Sequence, residues 1–271
     1  MGTLYVVGTP IGNLEDLSPR ALRVLREVAL VAAEDTRKTG ALFSRFEIHT
    51  PLTSYFEHNK LAKLDAIIEA LGHGDVALVS EAGMPGLSDP GYELIRAAIQ
   101  SGFPVVPIPG PVAAITALVA SGLPTDSFVF LGFLSRKASE RKRALQDVAA
   151  EKRTLVLYEA PHRLAECLAD IQSILGDRPI AVARELTKLH EEIYRGTVSG
   201  AREHFSGAVR GEVTLVIGGA AQQTEAWDEE RVRHALSQAI AAGLDRKEAV
   251  RQVTQASGWP RRAVYRLTFE I

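Results

Sequence analysis

The sequence has 271 residues and is 46% hydrophobic, which is enough apolar material for one large domain or two ordinary ones and excludes a disordered chain. Its 31 Lys and Arg residues against 33 Asp and Glu residues give a net charge of −2, which excludes a strongly basic nucleic-acid-binding protein. The charge is uneven, because the 41 residues from Arg231 onward carry +5 and the preceding 230 carry −7. This tail is therefore predicted to be a separate module with a polyanionic partner, or a helical cap.

The single cysteine, Cys167, excludes an internal disulfide and a cysteine-based metal site, and it favours a reducing compartment, so we expect a cytoplasmic protein. No positively charged segment followed by an apolar one opens the chain, so no signal peptide is predicted. Residues 97–125 contain no charge, but five prolines interrupt them. This stretch therefore predicts a buried strand, loop and helix rather than a membrane span.

Short apolar runs alternate with amphipathic segments through the first 220 residues, a pattern typical of α/β proteins with parallel or mixed sheets. The predicted strands are Leu4–Val7, Leu30–Ala33, Val76–Ser80, Val105–Ile108, Phe128–Leu131, Leu155–Tyr158, Ile180–Ala183, Ile193–Thr197 and Val213–Ile217. Helices are predicted between them. One begins where Ser18 caps Pro19, and two others follow the helical spacing of apolar residues over 61–71 and 164–175.

Nine strands suit two sheets better than one, and the turn at 122–126 is the natural break between them. We predict an α/β domain over 1–122, a second over 123–220, and a helical module over 226–271 that follows a polar linker at 222–225. The predicted helices of this module span 228–241, 245–256 and 260–267. They resemble a helix-turn-helix, and a three-helix cap on the second domain is the alternative.

Three loops rich in glycine and proline, at residues 8–13, 80–91 and 107–114, each follow a predicted strand. The loop over 8–13 contains neither the Gly-x-Gly-x-x-Gly dinucleotide motif nor a P-loop. It is as typical of a plain strand-to-helix connection as of a ligand-binding loop. Glycines let the backbone approach a ligand closely, and open α/β folds bind ligands at the carboxyl ends of their strands. The loop over 80–91 therefore favours a ligand site.

Charged residues cluster after three other strands, at 33–39, 158–163 and 184–188. Each cluster alone is typical of surface ion pairs, but three of them at strand ends in both domains favour a shared site. A further segment, 135–143, holds five cations and one acid. It predicts either phosphate binding or a solvated helix start.

Seven blocks together resemble the tetrapyrrole-methylase superfamily of S-adenosylmethionine-dependent methyltransferases: residues 7–13, 33–37, 80–91, 109–111, 158–163, 184–188 and 211–215. Residues 81–85 differ from the Gly-Asp-Pro loop of the porphyrinoid enzymes, which favours the ribosomal branch. The resemblance implies two α/β domains with a ligand cleft between them, a helix-turn-helix-like tail and a homodimer. It also implies methylation of the ribose 2′-oxygen of a cytidine in 16S rRNA, at the decoding site of the small ribosomal subunit.

The same resemblance implies site residues for the methyl donor, S-adenosylmethionine. These are Thr9, Pro10, Gly12, Glu81, Ala82, Gly83, Gly86, Leu87, Val112, Ala113, Glu159, Ala160 and Thr214. Transfer to a 2′-oxygen needs alignment of that oxygen and a base for its proton, and no metal is required. The candidate bases are Asp35, Glu81, Glu159, Glu185, His162 and Lys188, and we favour Glu34 or Asp35, or Glu185 with Lys188.

RNA binding requires cations for the phosphates. The predicted RNA-binding residues are Arg37, Arg136, Lys137, Arg141, Lys142, Arg143, Arg163, Arg184, Arg261 and Arg262. Two alternatives stay open. A methyltransferase of the same scaffold could act on a porphyrinoid or a protein side chain, although the basic segment and the tail would then have no role. The second alternative is a non-catalytic nucleic-acid-binding protein, which a failure to bind S-adenosylmethionine would support.

Overall fold

The computed structural model describes residues 2–221 and 227–269. The chain forms two compact units, Met1–Ala220 and Ala221–Ile271. The linker predicted at 222–225 and the predicted start of the module at 226 lie outside the described residues.

The first part of the larger unit is a parallel five-stranded sheet with the strand order β3-β2-β4-β1-β5. Its strands are β1 (Leu4–Val7), β2 (Leu30–Ala33), β3 (Leu52–Ser54), β4 (Val76–Val79) and β5 (Val105–Ile108). Its helices are α1 (Pro19–Glu27), α2 (Thr36–Arg45), α3 (Lys60–His73), α4 (Tyr92–Gln100) and α5 (Ala113–Ser121). Four of these strands were predicted, and β3 was not.

Local capping explains where the first helices begin. The Ser18 hydroxyl accepts a hydrogen bond from the Ala21 N–H at 3.0 Å, and Pro19 occupies the first turn of α1, which confirms the predicted start. Asp35 caps α2 by accepting the N–H groups of Arg37 and Lys38 at 2.8 and 3.3 Å. Because the strands are parallel, their carboxyl ends lie at one edge, where the glycine-rich loops meet.

The second part of the larger unit is a mixed five-stranded sheet with the order β6-β7-β10-β8-β9. Its strands are β6 (Phe128–Phe133), β7 (Thr154–Glu159), β8 (Pro179–Arg184), β9 (Glu192–Thr197) and β10 (Val213–Ile217). Strands β6 and β7 are parallel, and the other neighbours are antiparallel. The helices of this part are α6 (Ala138–Asp147), α7 (Leu164–Leu175) and α8 (Val198–His204). All five strands were predicted, most of them with shorter ends.

Helix α5 connects the two sheets. Its buried face, formed by Ala114, Ala117 and Leu118, belongs to one hydrophobic cluster with residues of the second sheet such as Ala181 and Val216. The charge-free stretch over 97–125 is therefore a strand, a loop and a buried helix, as predicted. In the part of the chain that the structure describes, no helix is both long enough and apolar enough to cross a membrane.

The smaller unit consists of α9 (Glu229–Ala241), α10 (Arg246–Ser257) and α11 (Arg261–Leu267) around its own core. Val232, Val250 and Val264, one from each helix, are almost fully buried in that core. The three predicted helices are confirmed, and each begins one residue later than predicted because the preceding residue is the cap or the turn.

The loops after β1 and β5 touch through two glycines. A Cβ atom on Gly110 would lie 2.7 Å from the Cα of Gly8, which is closer than real Cβ contacts allow. We expect Gly110→Ala to lower the free energy of unfolding by about 1–3 kcal/mol, because backbone must move to relieve the clash. Urea denaturation followed by circular dichroism measures this loss.

Gly72 provides the control, because it lies inside α3 and a Cβ there meets no atom within 4 Å. Gly72→Ala is expected to leave stability unchanged or raise it by about 0.5–1 kcal/mol, since alanine is the better helix former. Equal stabilities of the two variants would contradict the close approach of the loops.

Candidate active site

The cavity lined by most of the predicted donor-binding residues, called the main cavity here, has a volume of about 360 Å³ and lies where the carboxyl ends of the first sheet meet the second sheet. Antiparallel pairing places Val213 of β10 opposite both Glu159 at the end of β7 and Arg184 at the end of β8. The blocks over 158–163, 184–188 and 211–215 therefore come together in space, as their positions at strand ends predict.

Nine of the residues predicted to contact the methyl donor line this cavity: Glu81, Ala82, Gly83, Leu87, Val112, Ala113, Glu159, Ala160 and Thr214. The predicted residues Thr9, Pro10 and Gly12 line a neighbouring cavity of about 280 Å³. The two loops that carry them are joined by hydrogen bonds in both directions between Thr9 and Gly83, at 2.9 and 3.1 Å. Gly86 lines neither of these two cavities.

Glu81 lines both cavities, and its carboxylate forms an ion pair with Lys38 of α2. Hydrogen bonding to Glu81 outweighs burial and raises the pKa of Lys38 above its ordinary value. Lys38 therefore stays cationic. Sequence reasoning did not select Lys38 as a functional residue, because its role depends on a partner 43 positions later in the chain.

Five carboxylates, those of Glu34, Glu81, Asp89, Glu159 and Glu212, line the main cavity. Burial raises the pKa of Asp89 to about 7, and the negative charges of Glu34, Glu81 and Glu212 add to this effect, while a hydrogen bond from Ser80 opposes it. Within residues 2–221 and 227–269, no group of three or more His, Cys, Asp or Glu side chains is arranged to hold a metal ion.

Asp89 is a site residue that sequence reasoning missed. It lies in the loop over 80–91. The glycines and prolines of this loop predicted that its backbone, rather than its side chains, contacts the ligand. Its neighbour Ser88 is one of the described non-glycine residues with positive φ, at 64°. A carboxylate in a rigid loop that follows a buried strand was the available signal.

Glu34 and Asp35 are adjacent in sequence but have different environments. Glu34 lines the main cavity and accepts a hydrogen bond from the Glu81 N–H at 3.0 Å. Asp35 lines neither cavity, because its carboxylate caps α2 and binds the side chain of Arg37. Hydrogen bonds from Arg37 lower the pKa of Asp35 below its ordinary value, which makes Asp35 the weaker base.

Glu185 and Lys188 form a polar network beside the main cavity. The Lys188 ammonium donates to Glu185 Oε1 at 2.8 Å and to Glu212 Oε2 at 3.0 Å. The hydrogen bond from Lys188 lowers the pKa of Glu185. Burial opposes the charge of Lys188, but its hydrogen bonds to the two carboxylates outweigh burial and raise its pKa. Of the three residues, Glu212 is the one that lines the cavity.

Backbone strain is concentrated in this network. Glu185 and Thr187 have positive φ angles of 53° and 68°. The carboxylate of Glu185 packs so closely on Gly211 that a Cβ there would overlap it. Non-glycine residues keep such angles only where their surroundings enforce them, so this loop is held rigidly beside the cavity.

Tyr158 forms one wall of the main cavity. Its hydroxyl accepts a hydrogen bond from the Ala114 N–H at 3.2 Å, and its ring lies 5.4 Å from the ring of Phe133. Together with Val112 and Ala113 these rings give the cavity an apolar part beside its carboxylates. Sequence reasoning selected neither aromatic residue.

The predicted RNA-binding residues differ in exposure. The side chain of Arg37 is 91% exposed, although it contacts Asp35. Six others are exposed: Arg136, Lys137, Lys142, Arg143, Arg261 and Arg262.

The prediction for Arg141 is wrong, because its side chain is only 4% exposed and pairs with Asp170 of α7 at 2.7 Å. Arg141 lies on the core-facing side of α6, the same side as the buried Leu145. Arg163 is also mostly buried, and its guanidinium donates to the carbonyls of Leu134 and Ser135. Arg184 is half-buried and pairs with Glu192 at 2.9 Å.

The family model described as Tetrapyrrole (Corrin/Porphyrin) Methylases matches residues 3–201. A relative from a Synechocystis species, named ribosomal RNA small subunit methyltransferase I, is 48% identical over 100% of this chain and 99% of its own. A relative of the same name from Halalkalibacterium halodurans is 47% identical over 98% of this chain and 94% of its own.

A crystal structure of uroporphyrin-III C-methyl transferase from Thermus thermophilus, complexed with S-adenyl homocysteine, has a TM-score of 0.56 with this chain. It is 21% identical and covers 80% of this chain and 97% of that one, so the likeness shows a shared fold. The predicted α/β fold of the tetrapyrrole-methylase type is thereby confirmed. With a family model over most of its length and relatives nearly half identical throughout, this protein belongs to the tetrapyrrole methylase family of S-adenosylmethionine-dependent methyltransferases.

Proposed function

We propose that this chain transfers a methyl group from S-adenosylmethionine to the ribose 2′-oxygen of a cytidine in 16S rRNA, within the small ribosomal subunit. The observation that carries the proposal is the full-length similarity to relatives named ribosomal RNA small subunit methyltransferase I. The substrate class comes from those names. The choice of a cytidine 2′-oxygen comes from the resemblance of the sequence blocks.

The main cavity fits S-adenosylmethionine in size and in chemistry. Its volume of about 360 Å³ lies in the range of small-molecule sites. The sulfonium and ammonium groups of the donor are cations, which suit the carboxylates of Glu34, Asp89 and Glu212, while Tyr158 and Val112 suit a flat ring. We propose that the nine predicted contacts lining this cavity hold the donor, and that Thr9, Pro10 and Gly12 bound the adjoining space. When bound, S-adenosylmethionine supplies a methyl group made electrophilic by the positive sulfur.

Glu34 is the proposed acceptor of the 2′-hydroxyl proton. It lines the cavity, and its one hydrogen bond from the Glu81 N–H holds the carboxylate in place. The hydrogen bonds that lower the pKa values of Asp35 and Glu185 make these two carboxylates weaker bases. We therefore propose that Asp35 positions α2, and that Glu185 and Lys188 position Glu212.

Exposed cations support the proposed RNA substrate. Arg37 lies three residues from Glu34, so a phosphate bound to its exposed guanidinium would lie close to the reacting ribose. The basic residues 136, 137, 142 and 143 add further positive charge at the surface. Because the first 230 residues carry −7, we propose that the target is a structured particle rather than free RNA.

We also propose that the enzyme is a cytoplasmic homodimer, as its resemblance to the superfamily and its ribosomal substrate imply. The proposed domains span 1–122, 123–220 and 226–271. Size-exclusion chromatography with light scattering tests the dimer, and a mass of one chain contradicts it.

The function is tested by transfer of labelled methyl from S-adenosylmethionine to purified small ribosomal subunits and, in parallel, to a porphyrinoid. We expect label in the RNA at one ribose, where methylation of the 2′-oxygen makes the linkage resistant to alkaline cleavage. Label on the porphyrinoid alone, or at an alkali-sensitive position, overturns the proposal.

Replacing the proposed base separates chemistry from binding. Glu34→Gln is expected to lower the single-turnover rate of methyl transfer by about 10²–10⁴-fold, which is the usual contribution of a positioned base. Glu69→Gln, on the exposed face of α3, is the matched control and should react at the wild-type rate. A full rate in Glu34→Gln removes Glu34 from this role.

The raised pKa of Asp89 predicts a pH-dependent effect on stability. Its folded-state pKa of about 7 exceeds the ordinary value of 3.8, so the contribution of Asp89 to stability is lost as pH rises from about 3.8 to about 7 and stays constant above that. Asp89→Asn cannot ionise and should therefore have a higher Tm than the wild type at pH 8. At pH 5 the Tm difference should be smaller, because the destabilisation of the wild type builds up between the unfolded-state pKa of 3.8 and the folded-state pKa of about 7. The same Tm difference at both pH values would contradict the raised pKa.

Binding of the donor should show the opposite dependence. An ionised Asp89 attracts a cation, so calorimetry should show S-adenosylmethionine binding more tightly to the wild type at pH 8 than at pH 5. Asp89→Asn should bind the donor roughly tenfold more weakly at pH 8, because it lacks that charge. Wild-type affinity in this variant at pH 8 removes Asp89 from the donor site.

A further inference from the structure

Two aromatic side chains are exposed at the end of the smaller unit. Tyr265 is 47% exposed and Phe269 is 65% exposed. Their ring centroids are 5.4 Å apart and the ring planes meet at 78°, so the pair forms a small ordered platform. The tryptophans of the same unit, Trp227 and Trp259, instead pack against its core.

Cations surround this platform. The Arg246 guanidinium lies 5.9 Å from the centroid of the Phe269 ring. Arg261 precedes Tyr265 by four residues on α11, so both side chains lie on one face of the helix. Arg261 also lines a groove of about 420 Å³ together with Lys247 and Arg251 of α10.

The groove keeps a positive charge although two acids line it. Asp245 is occupied as the cap of α10 and accepts the Glu248 N–H at 2.8 Å. Glu248 pairs with Arg251. Among the described residues, no side chain pairs with Lys247 or Arg261, so these two cations are available to an anion.

We propose that this basic aromatic surface, formed by Arg246, Lys247, Arg251, Arg261, Tyr265 and Phe269, binds an unpaired segment of RNA. Bases stack on the two rings, and phosphates lie at the cations of the groove. Proteins bind single strands in this way, with aromatic platforms beside a positive groove. Paired bases are stacked on one another and do not offer a free face, so the segment is single-stranded. That the segment belongs to ribosomal RNA rests on the proposed function.

Charge and area favour RNA over other partners. The last 41 residues carry +5, which complements a polyanion. Among the described residues of the smaller unit, Tyr265 and Phe269 are the exposed large hydrophobic side chains, whereas a protein interface or a membrane-binding helix face presents a wider apolar patch. The surface lies wholly in the smaller unit, and the cavities of the candidate active site lie in the larger one, so the two sites have no residue in common.

Fluorescence anisotropy with the full chain tests the stacking. The probes are a labelled ten-nucleotide oligouridine and an abasic strand of the same length. Tyr265→Ala and Phe269→Ala are each expected to weaken oligouridine binding by about tenfold. The double variant should bind oligouridine no better than the wild type binds the abasic strand. Tyr92→Ala, an exposed tyrosine on α4 at 63%, is the matched control and should bind like the wild type.

Salt dependence tests the cations separately. Arg261→Gln should reduce the slope of log affinity against log salt by about 0.7, the value for one phosphate contact on a single strand. The aromatic variants should leave that slope unchanged. Wild-type oligouridine affinity in the folded double variant overturns the inference. Phosphatidylserine vesicles are a third probe. If the double variant loses binding to these vesicles but not to oligouridine, the inference is also overturned. Circular dichroism verifies that each variant is folded.

Methyl transfer to small ribosomal subunits distinguishes the two proposals. In the double variant, KM for the subunits should rise and kcat at saturating subunits should stay unchanged. If the wild type methylates no subunit RNA, the proposed function fails while the oligonucleotide result still decides the surface. If the wild type is active and the double variant matches Tyr92→Ala in both KM and binding, the inference about the surface fails alone.

Discussion

The packing of α5 on the second sheet is the contact on which the site depends. Ala114, Ala117 and Leu118 are buried against strands β7, β8 and β10, and the small alanines let the helix approach the sheet closely. Because α5 starts directly after the loop that supplies Val112, burying the helix also fixes that loop at the cavity. The Ala114 N–H, which helix geometry leaves without an intrahelical partner, donates to Tyr158. The packing that buries α5 in the hydrophobic core therefore also positions one wall of the cavity.

The carboxylates of this unit show how neighbours assign different tasks to one chemical group. Hydrogen-bonded cations keep Asp35 and Glu185 ionised, while burial beside other acids makes Asp89 retain its proton up to about pH 7. The acids gather in the cavity, and the exposed cations lie in Arg37, the basic segment and the tail. The cavity therefore suits a cationic ligand, and these exposed segments suit an anionic one.

Sequence patterns were sufficient for most of the fold and for part of the site. Apolar runs bounded by turns identified every described strand except β3, which has only three half-buried residues and pairs at the edge of its sheet. Glycine-rich loops located the cavity. Asp89 was missed because its raised pKa depends on burial, and further on Glu34 and Glu212, which are distant in sequence. Arg141 was wrongly assigned because its partner, Asp170, lies 29 residues later on another helix. Such pairings are a property of packing, so the local sequence does not identify the partner.

The position of Glu81 between the two cavities has a thermodynamic consequence. Its carboxylate lines both spaces, and Lys38 on the side of the second cavity neutralises it. An anion that draws Lys38 away would leave an uncompensated negative charge in the main cavity and strengthen its attraction for a cation there. Linkage requires the reverse effect to be equally large, so a cation in the main cavity would release Lys38 toward an anion. One ion pair thereby makes occupancy of the two spaces mutually reinforcing.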